Sequence, residues 1–135
     1  MEYLIGVLVA LAVVGLATSL GWDRDRSFGP TVLIVIAAYY VLFATMGGSD
    51  RTLAIELSFA AGFLALAIIG FKTNLWLVAV GMVGHGVFDL VHHLVIANPG
   101  VPSWWPGFCL AADVPLGGWL AVMLIRRSHP SLDKT

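Results

Sequence analysis

Charge is scarce in this chain. Seven Lys and Arg and eight Asp and Glu make up 11% of 135 residues, where a water-soluble domain carries about a quarter. So few ionised groups cannot cover a surface facing water, which excludes an ordinary soluble domain. The two signs nearly cancel, to a net −1, and without a basic excess no nucleic acid is expected as a partner. Cysteine is nearly absent as well. Cys109 stands alone, so no disulfide can form within the chain, and it is expected to act as a small buried hydrophobe. Internal repeats, low-complexity tracts and the length for a separate soluble module are also missing.

Apolar runs are what the chain has. Hydrophobic residues make up 59% of it, gathered into stretches near the ~20 residues that cross a bilayer. Breakers divide them into five expected transmembrane helices, at about 3–22, 30–46, 52–71, 75–97 and 108–125. Asp23-Arg24-Asp25-Arg26 stops the first, and Pro30, suited to a first helical turn, opens the second. Gly47-Gly48-Ser49-Asp50-Arg51 and Lys72-Thr73-Asn74 turn the chain on either side of the third. Asn98-Pro99-Gly100 closes the fourth. The expected fold class is thus an all-α integral membrane bundle, one domain over residues 1–125 with a short tail at 126–135. The first run is expected to remain as a helix rather than be cleaved as a signal. Met1-Glu2-Tyr3 supplies no positive charge, and no good A-x-A site follows.

Basic residues orient the bundle. With the N-terminus outside, the inner side receives Arg24, Arg26, Lys72, Arg126, Arg127 and Lys134, and the outer side only Arg51. Under the positive-inside rule the tail is then cytoplasmic and the loop 98–107 faces out. Trp104 and Trp105 in that loop are expected to anchor at the headgroups. The expected setting is a bacterial inner (plasma) membrane.

Against this background one stretch is out of place. GHGVFDLVHHLVIANPG, residues 84–100, puts His85, Asp89, His92 and His93 inside an apolar span. At ~100° per residue they fall at about 0°, 40°, −20° and 80°, on one helix face. Glu56 of the third span and Asp113 of the fifth are expected at the same depth, in the outer third of the membrane. An Asp at a span centre costs about 2.5–3.5 kcal/mol on insertion scales, so an idle one is not expected. Imidazole and carboxylate together suit zinc, iron or manganese, and a divalent cation would neutralise the carboxylates. The expected metal ligands are His85, Asp89, His92 and His93, although His93, next to His92, could instead orient a ligand. Asp113 is the expected general base, with Glu56 as a further catalytic candidate. Gly81, Gly84 and Gly86 on the fourth span and Gly117 and Gly118 on the fifth would let backbones approach. Pro115 would withdraw one backbone donor near Asp113. Tyr39 and Tyr40 are expected to be packing aromatics.

The D-x-x-H-H piece, Asp89 to His93, resembles an H-x-x-H-H box of the integral membrane desaturases and hydroxylases, with Asp in place of the first His. That resemblance implies iron at the site, but the chain has too few histidines for the family's complete two-iron centre. A His and Asp site among membrane helices is also similar to the zinc-dependent lipid hydrolases of the ceramidase and progestin-receptor type. The expected function is therefore a metal-dependent enzyme, hydrolase or oxygenase, acting on a lipid-like or apolar substrate from the outer leaflet. Two other classes stand beside it. A metal, ion or proton carrier would need polar residues continuing inward, and Leu75 to Val80 is dry. A haem protein usually takes histidines from two helices, and here bis-His ligation would need a homo-oligomer, which the short spans permit.

Overall fold

The computed structural model describes residues 1–129. The end of the expected tail, with Lys134, lies outside the described residues. Five α-helices carry the chain: α1 Glu2–Leu20, α2 Phe28–Gly47, α3 Asp50–Lys72, α4 Trp76–Val95 and α5 Trp105–Ser128. One 3-10 turn, Trp22–Arg24, follows α1, and there is no strand among the described residues. All five helices are long and apolar enough to cross a membrane. Their ends fall within three residues of the expected spans. The largest difference is in α5, which opens at Trp105 with Pro106 in its first turn, where a missing N–H costs nothing.

Local chemistry sets the turns. Gly21 closes α1 in the left-handed region at φ 73°, its N–H reaching the carbonyls of Ala17 and Thr18. Asp25 Oδ1 accepts the Ser27 N–H and hydroxyl, both at 2.8 Å. The Ser27 N–H in particular holds the Asp25 carboxyl below the usual carboxylate range. Ser49 caps α3 by accepting the Thr52 N–H at 3.2 Å. Arg26 donates to the Phe71 carbonyl at 2.6 Å, and Arg127 to the Asp23 carbonyl at 2.9 Å. These bonds satisfy carbonyls left over at helix ends and tie the α1–α2 turn to the ends of α3 and α5. Arg24, Arg26, Lys72, Arg126 and Arg127 consequently gather at one end of the bundle, with Arg51 at the other.

In the bundle α5 packs on α1 and α4, while α4 also meets α3 and α2, and α2 pairs with α3. Small residues let α4 and α5 cross closely. A Cβ on Gly117 would lie 3.0 Å from the Ala79 carbonyl oxygen and 2.8 Å from Val83 Cγ2. Gly84 and Gly118 face open space, so the expected close approach of α4 and α5 runs through their neighbours Gly86 and Gly117. Two apolar clusters fill the interior. The larger joins Leu33, Ala67, Val78, Ala79, Met82, Leu116 and Leu120 near the basic end. The smaller joins Tyr40, Phe43, Trp105 and Cys109 towards the other end. Cys109 is thus buried among hydrophobes, as its isolation suggested. Trp105 is buried too, with ring centroids 4.8 Å from Tyr39 and 4.9 Å from Phe43. It is a core residue rather than a headgroup anchor, because α5 starts before it and turns it inward. Trp104 keeps the exposure that an anchor needs.

Large apolar side chains are exposed along the outer faces of the helices. Leu4, Leu8, Leu11 and Leu16 on α1 are exposed, as are Val35 and Leu42 on α2 and Ile68 and Ile69 on α3. In water this would be one large apolar patch. In hydrocarbon it carries no penalty, because every helix satisfies its own backbone.

The α4–α5 crossing gives a first test. Gly117→Ala should lower stability by about 1–3 kcal/mol, since the added methyl meets backbone that cannot yield. Gly118→Ala should leave stability unchanged or raise it by up to about 1 kcal/mol, Ala being the better helix former. Thermal unfolding in one detergent would measure both, and equal losses would refute the assigned contact.

Candidate metal centre and its polar layer

Between the two apolar clusters lies a layer of ionisable side chains. Glu56, His85, Asp89, His92 and Asp113 are each at most 2% exposed. Three come from α4, whose buried stripe runs Val78, Met82, His85, Asp89 and His92 at helical spacing. α3 contributes Glu56 and α5 contributes Asp113.

His85, Asp89 and Asp113 form the tightest group. One ligand atom from each lies within 4.8 Å of the others. His85 Nδ1 is 2.7 Å from Asp113 Oδ2 and 3.5 Å from Asp89 Oδ2. The ring is held edge-on to Phe63, centroids 4.8 Å apart. A tetrahedral ion with ~2.1 Å bonds keeps its ligand atoms about 3.4 Å apart. The His85–Asp89 spacing already meets that, while the His85–Asp113 spacing is that of a hydrogen bond and would have to open by about 0.7 Å. If instead Nδ1 keeps its proton, Asp113 orients the ring and Nε2 is left to ligate. Asp89 Oδ2 and Asp113 Oδ1 are buried with no hydrogen-bond partner among the described residues. Orphaned carboxylate oxygens beside an imidazole are what a cation or a water would satisfy.

A second pair sits one turn away along α4. His92 Nε2 is 2.7 Å from Glu56 Oε1, and Asn98 Nδ2 donates to the same oxygen at 2.8 Å. Glu56 Oε2 is left unpartnered. Tyr40 joins the two groups. Its hydroxyl donates to Asp89 Oδ1 at 2.5 Å, and its ring stacks on His92 with centroids 3.9 Å apart and planes 17° apart. Asn98 also donates to the Tyr40 carbonyl at 3.2 Å. The result is a polar layer across α2, α3, α4 and α5.

Two cavities meet this layer. One, of about 600 Å³, is lined by His92, His93, Asn98, Ser103, Glu2 and parts of the 96–107 loop. The other, of about 450 Å³, runs between α1 and α2 with Asp113 among its lining residues.

The structure thus places the six site residues expected from the sequence in different surroundings. His85 and Asp89 come together with Asp113, which the sequence suggested as a base. His92 faces Glu56 rather than the group of three. His93, at 80° on the edge of the helical arc, is exposed and belongs to neither. Tyr40 and Asn98 went unrecognised. Tyr40 could have been found from its register, since Leu33, Ala37, Tyr40 and Ala44 make one buried stripe on α2 and Tyr39 falls off it. Asn98 carried only the signal of a helix breaker. No model of a known protein family, no curated protein and no solved structure matches this chain. Function must be read from the side chains themselves.

Substitutions should separate the layer from its surroundings. Tyr40→Phe should cost about 1.5–3 kcal/mol, because it removes a hydrogen bond to a buried carboxylate. His93→Ala should stay within about 0.5 kcal/mol of wild type, as exposed positions do. Chemical or thermal unfolding in detergent would show a flawed assignment if the two ranked the other way.

Proposed function

We propose that this chain is an integral membrane metalloprotein in which His85, Asp89 and Asp113 hold one divalent cation. We further propose a metal-dependent enzyme, hydrolase or oxygenase, acting on a lipid-like substrate near the outer face. The observation that carries the reading is the group of three: one imidazole and two carboxylates, buried in an apolar bundle, with a carboxylate oxygen left unpartnered on each Asp. The gathering of Arg24, Arg26, Lys72, Arg126 and Arg127 at one end favours an N-terminus outside and a cytoplasmic C-terminus. That orientation puts the polar layer nearer the outer face.

Charge balance supports a cation. A divalent ion would offset Asp89 and Asp113, leaving Glu56 beside His92 as the one remaining carboxylate of the layer. Without the ion, protons alone would have to neutralise three carboxylates. Zinc, iron and manganese all accept this donor set. Haem has less support, since both buried histidines sit on α4 and both are engaged by carboxylates.

Each residue then has a task. Asp113 and Asp89 bring negative charge to the site, and Tyr40 fixes one oxygen of Asp89. Phe63 and Asp113 set the plane of the His85 ring. Asn98 donates to Glu56, and Glu56 holds His92 beside the larger cavity, where the imidazole is placed for acid–base work. The acid–base role expected for Asp113 thereby passes to the Glu56–His92 pair. A bound cation would supply Lewis acidity and lower the pKa of a ligated water.

Elemental mass spectrometry on detergent-purified protein tests the reading. Wild type should carry about one equivalent of zinc, iron or manganese, His93→Ala should keep it, and Asp89→Asn and Asp113→Asn should lose most of it. Acidification should release the metal, because the ligands must be deprotonated to bind. Added ion at ~100 times its Kd should raise wild-type stability by about 2.7 kcal/mol. No metal in the wild type and no stabilisation by added ions would leave a hydrogen-bonded proton network as the better account.

A further inference from the structure

The basic end of the bundle is built more closely than the sorting of charge between two sides of a membrane requires. Arg26 Nε donates to the Phe71 carbonyl at 2.6 Å, which sets Arg26 beside Lys72 at the end of α3. Arg127 Nη2 donates to the Asp23 carbonyl at 2.9 Å, which brings the end of α5, with Arg126, to Arg24. Two hydrogen bonds thus draw five cations from three separate segments onto one rim. All five are exposed. None forms a salt bridge among the described residues, although Asp23 and Asp25 alternate with Arg24 and Arg26 in the sequence. Asp25 Oδ1 is engaged by Ser27, at 2.8 Å from both its N–H and its hydroxyl. Asp23 Oδ1 is buried without a partner. The acids nearest in sequence leave the rim unpaired.

Aromatic side chains mark the level of this rim. Trp22, in the same turn as Arg24, is 54% exposed, and Trp76, which opens α4 at the same end, is 41% exposed. Exposed Trp at the ends of membrane helices sits where hydrocarbon gives way to headgroups. The cations beside Trp22 are then at the depth of lipid phosphates. There a guanidinium offers two parallel N–H donors to phosphate oxygens, and an ammonium offers a point charge. Arg26 and Arg127 spend donors on backbone carbonyls, which leaves Arg24, Lys72 and Arg126 as the freer cations. A zwitterionic headgroup brings its own cation to such a rim and gains little. An anionic one brings the missing charge. We propose that Arg24, Arg26, Lys72, Arg126 and Arg127 form a binding site for the phosphate of an anionic phospholipid in the leaflet that this end faces. The opposite end carries only Arg51, next to Asp50, so the preference belongs to one end. A bound headgroup would bridge the end of α3, the α1–α2 turn and the end of α5. The site needs no metal at His85 and stands apart from that reading.

Native mass spectrometry of the full-length protein in detergent tests it. The protein would be titrated with phosphatidylglycerol and with phosphatidylcholine of the same chains, and the bound lipid counted. Phosphatidylglycerol should bind at least about ten times more tightly. Raising ammonium acetate from about 0.1 to 1 M, which shortens the screening length from ~10 to ~3 Å, should remove most of that preference. Arg24→Gln, Lys72→Gln and Arg126→Gln together should make the two lipids bind alike, while Arg51→Gln should keep the wild-type preference. Equal binding of both lipids by the wild type would overturn the proposal. So would a preference that survives in the triple variant, or one that is lost equally in Arg51→Gln. Displacement of phosphatidylglycerol by an equal concentration of inorganic phosphate would overturn it as well, by marking a site for the free ion. If the triple variant cannot be purified, the lipid and salt comparisons on the wild type still decide.

Discussion

Three carboxylates and two imidazoles buried among hydrocarbon side chains must be brought close to neutrality, and the structure is arranged around that demand. Glu56, Asp89 and Asp113 come from three different helices, and none of them meets a Lys or Arg among the described residues. Their partners are imidazoles, a phenol and an amide. Each such hydrogen bond offsets part of the cost of burial, but one oxygen on each carboxylate stays unpaired. A chain that needed only to fix the register of its helices would have less reason to keep three acids there.

Position within the bundle follows from the same demand. The basic half is dry, filled by Leu33, Val78, Met82, Leu116 and Leu120, so the ionisable layer has no polar route in that direction. Towards the other end it meets a cavity at His92 and Asn98, and sideways it meets the α1–α2 groove at Asp113. Access is therefore from the loop end and from the side.

Tyr40 shows how packing and chemistry are joined. The same ring that fills the smaller apolar cluster stacks on His92, while its hydroxyl holds Asp89. Asn98 does similar work from the loop, because the chain after α4 turns back over the end of α2 and brings its amide to Glu56 and to the Tyr40 carbonyl. Both residues make the two ionisable groups one layer.

Composition and hydropathy by themselves determined the five helices and most of their ends, since a run of about 20 apolar residues has no other way to satisfy its backbone in hydrocarbon. Helical periodicity determined that His85, Asp89 and His92 share a face, because ~100° per residue is a local property. Which acid meets which imidazole was not local. Depth along the spans brought Glu56 and Asp113 to the right level, but only the packing of α5 against α4 through Gly86 and Gly117 turned Asp113 towards His85. The rotation of α3 paired Glu56 with His92 in the same way. His93 missed the layer by one residue's rotation, and Tyr40 joined it by the register of α2. Pairings of this kind depend on how helices rotate and cross, and that is decided by side chains meeting between them rather than by spacing along any one of them.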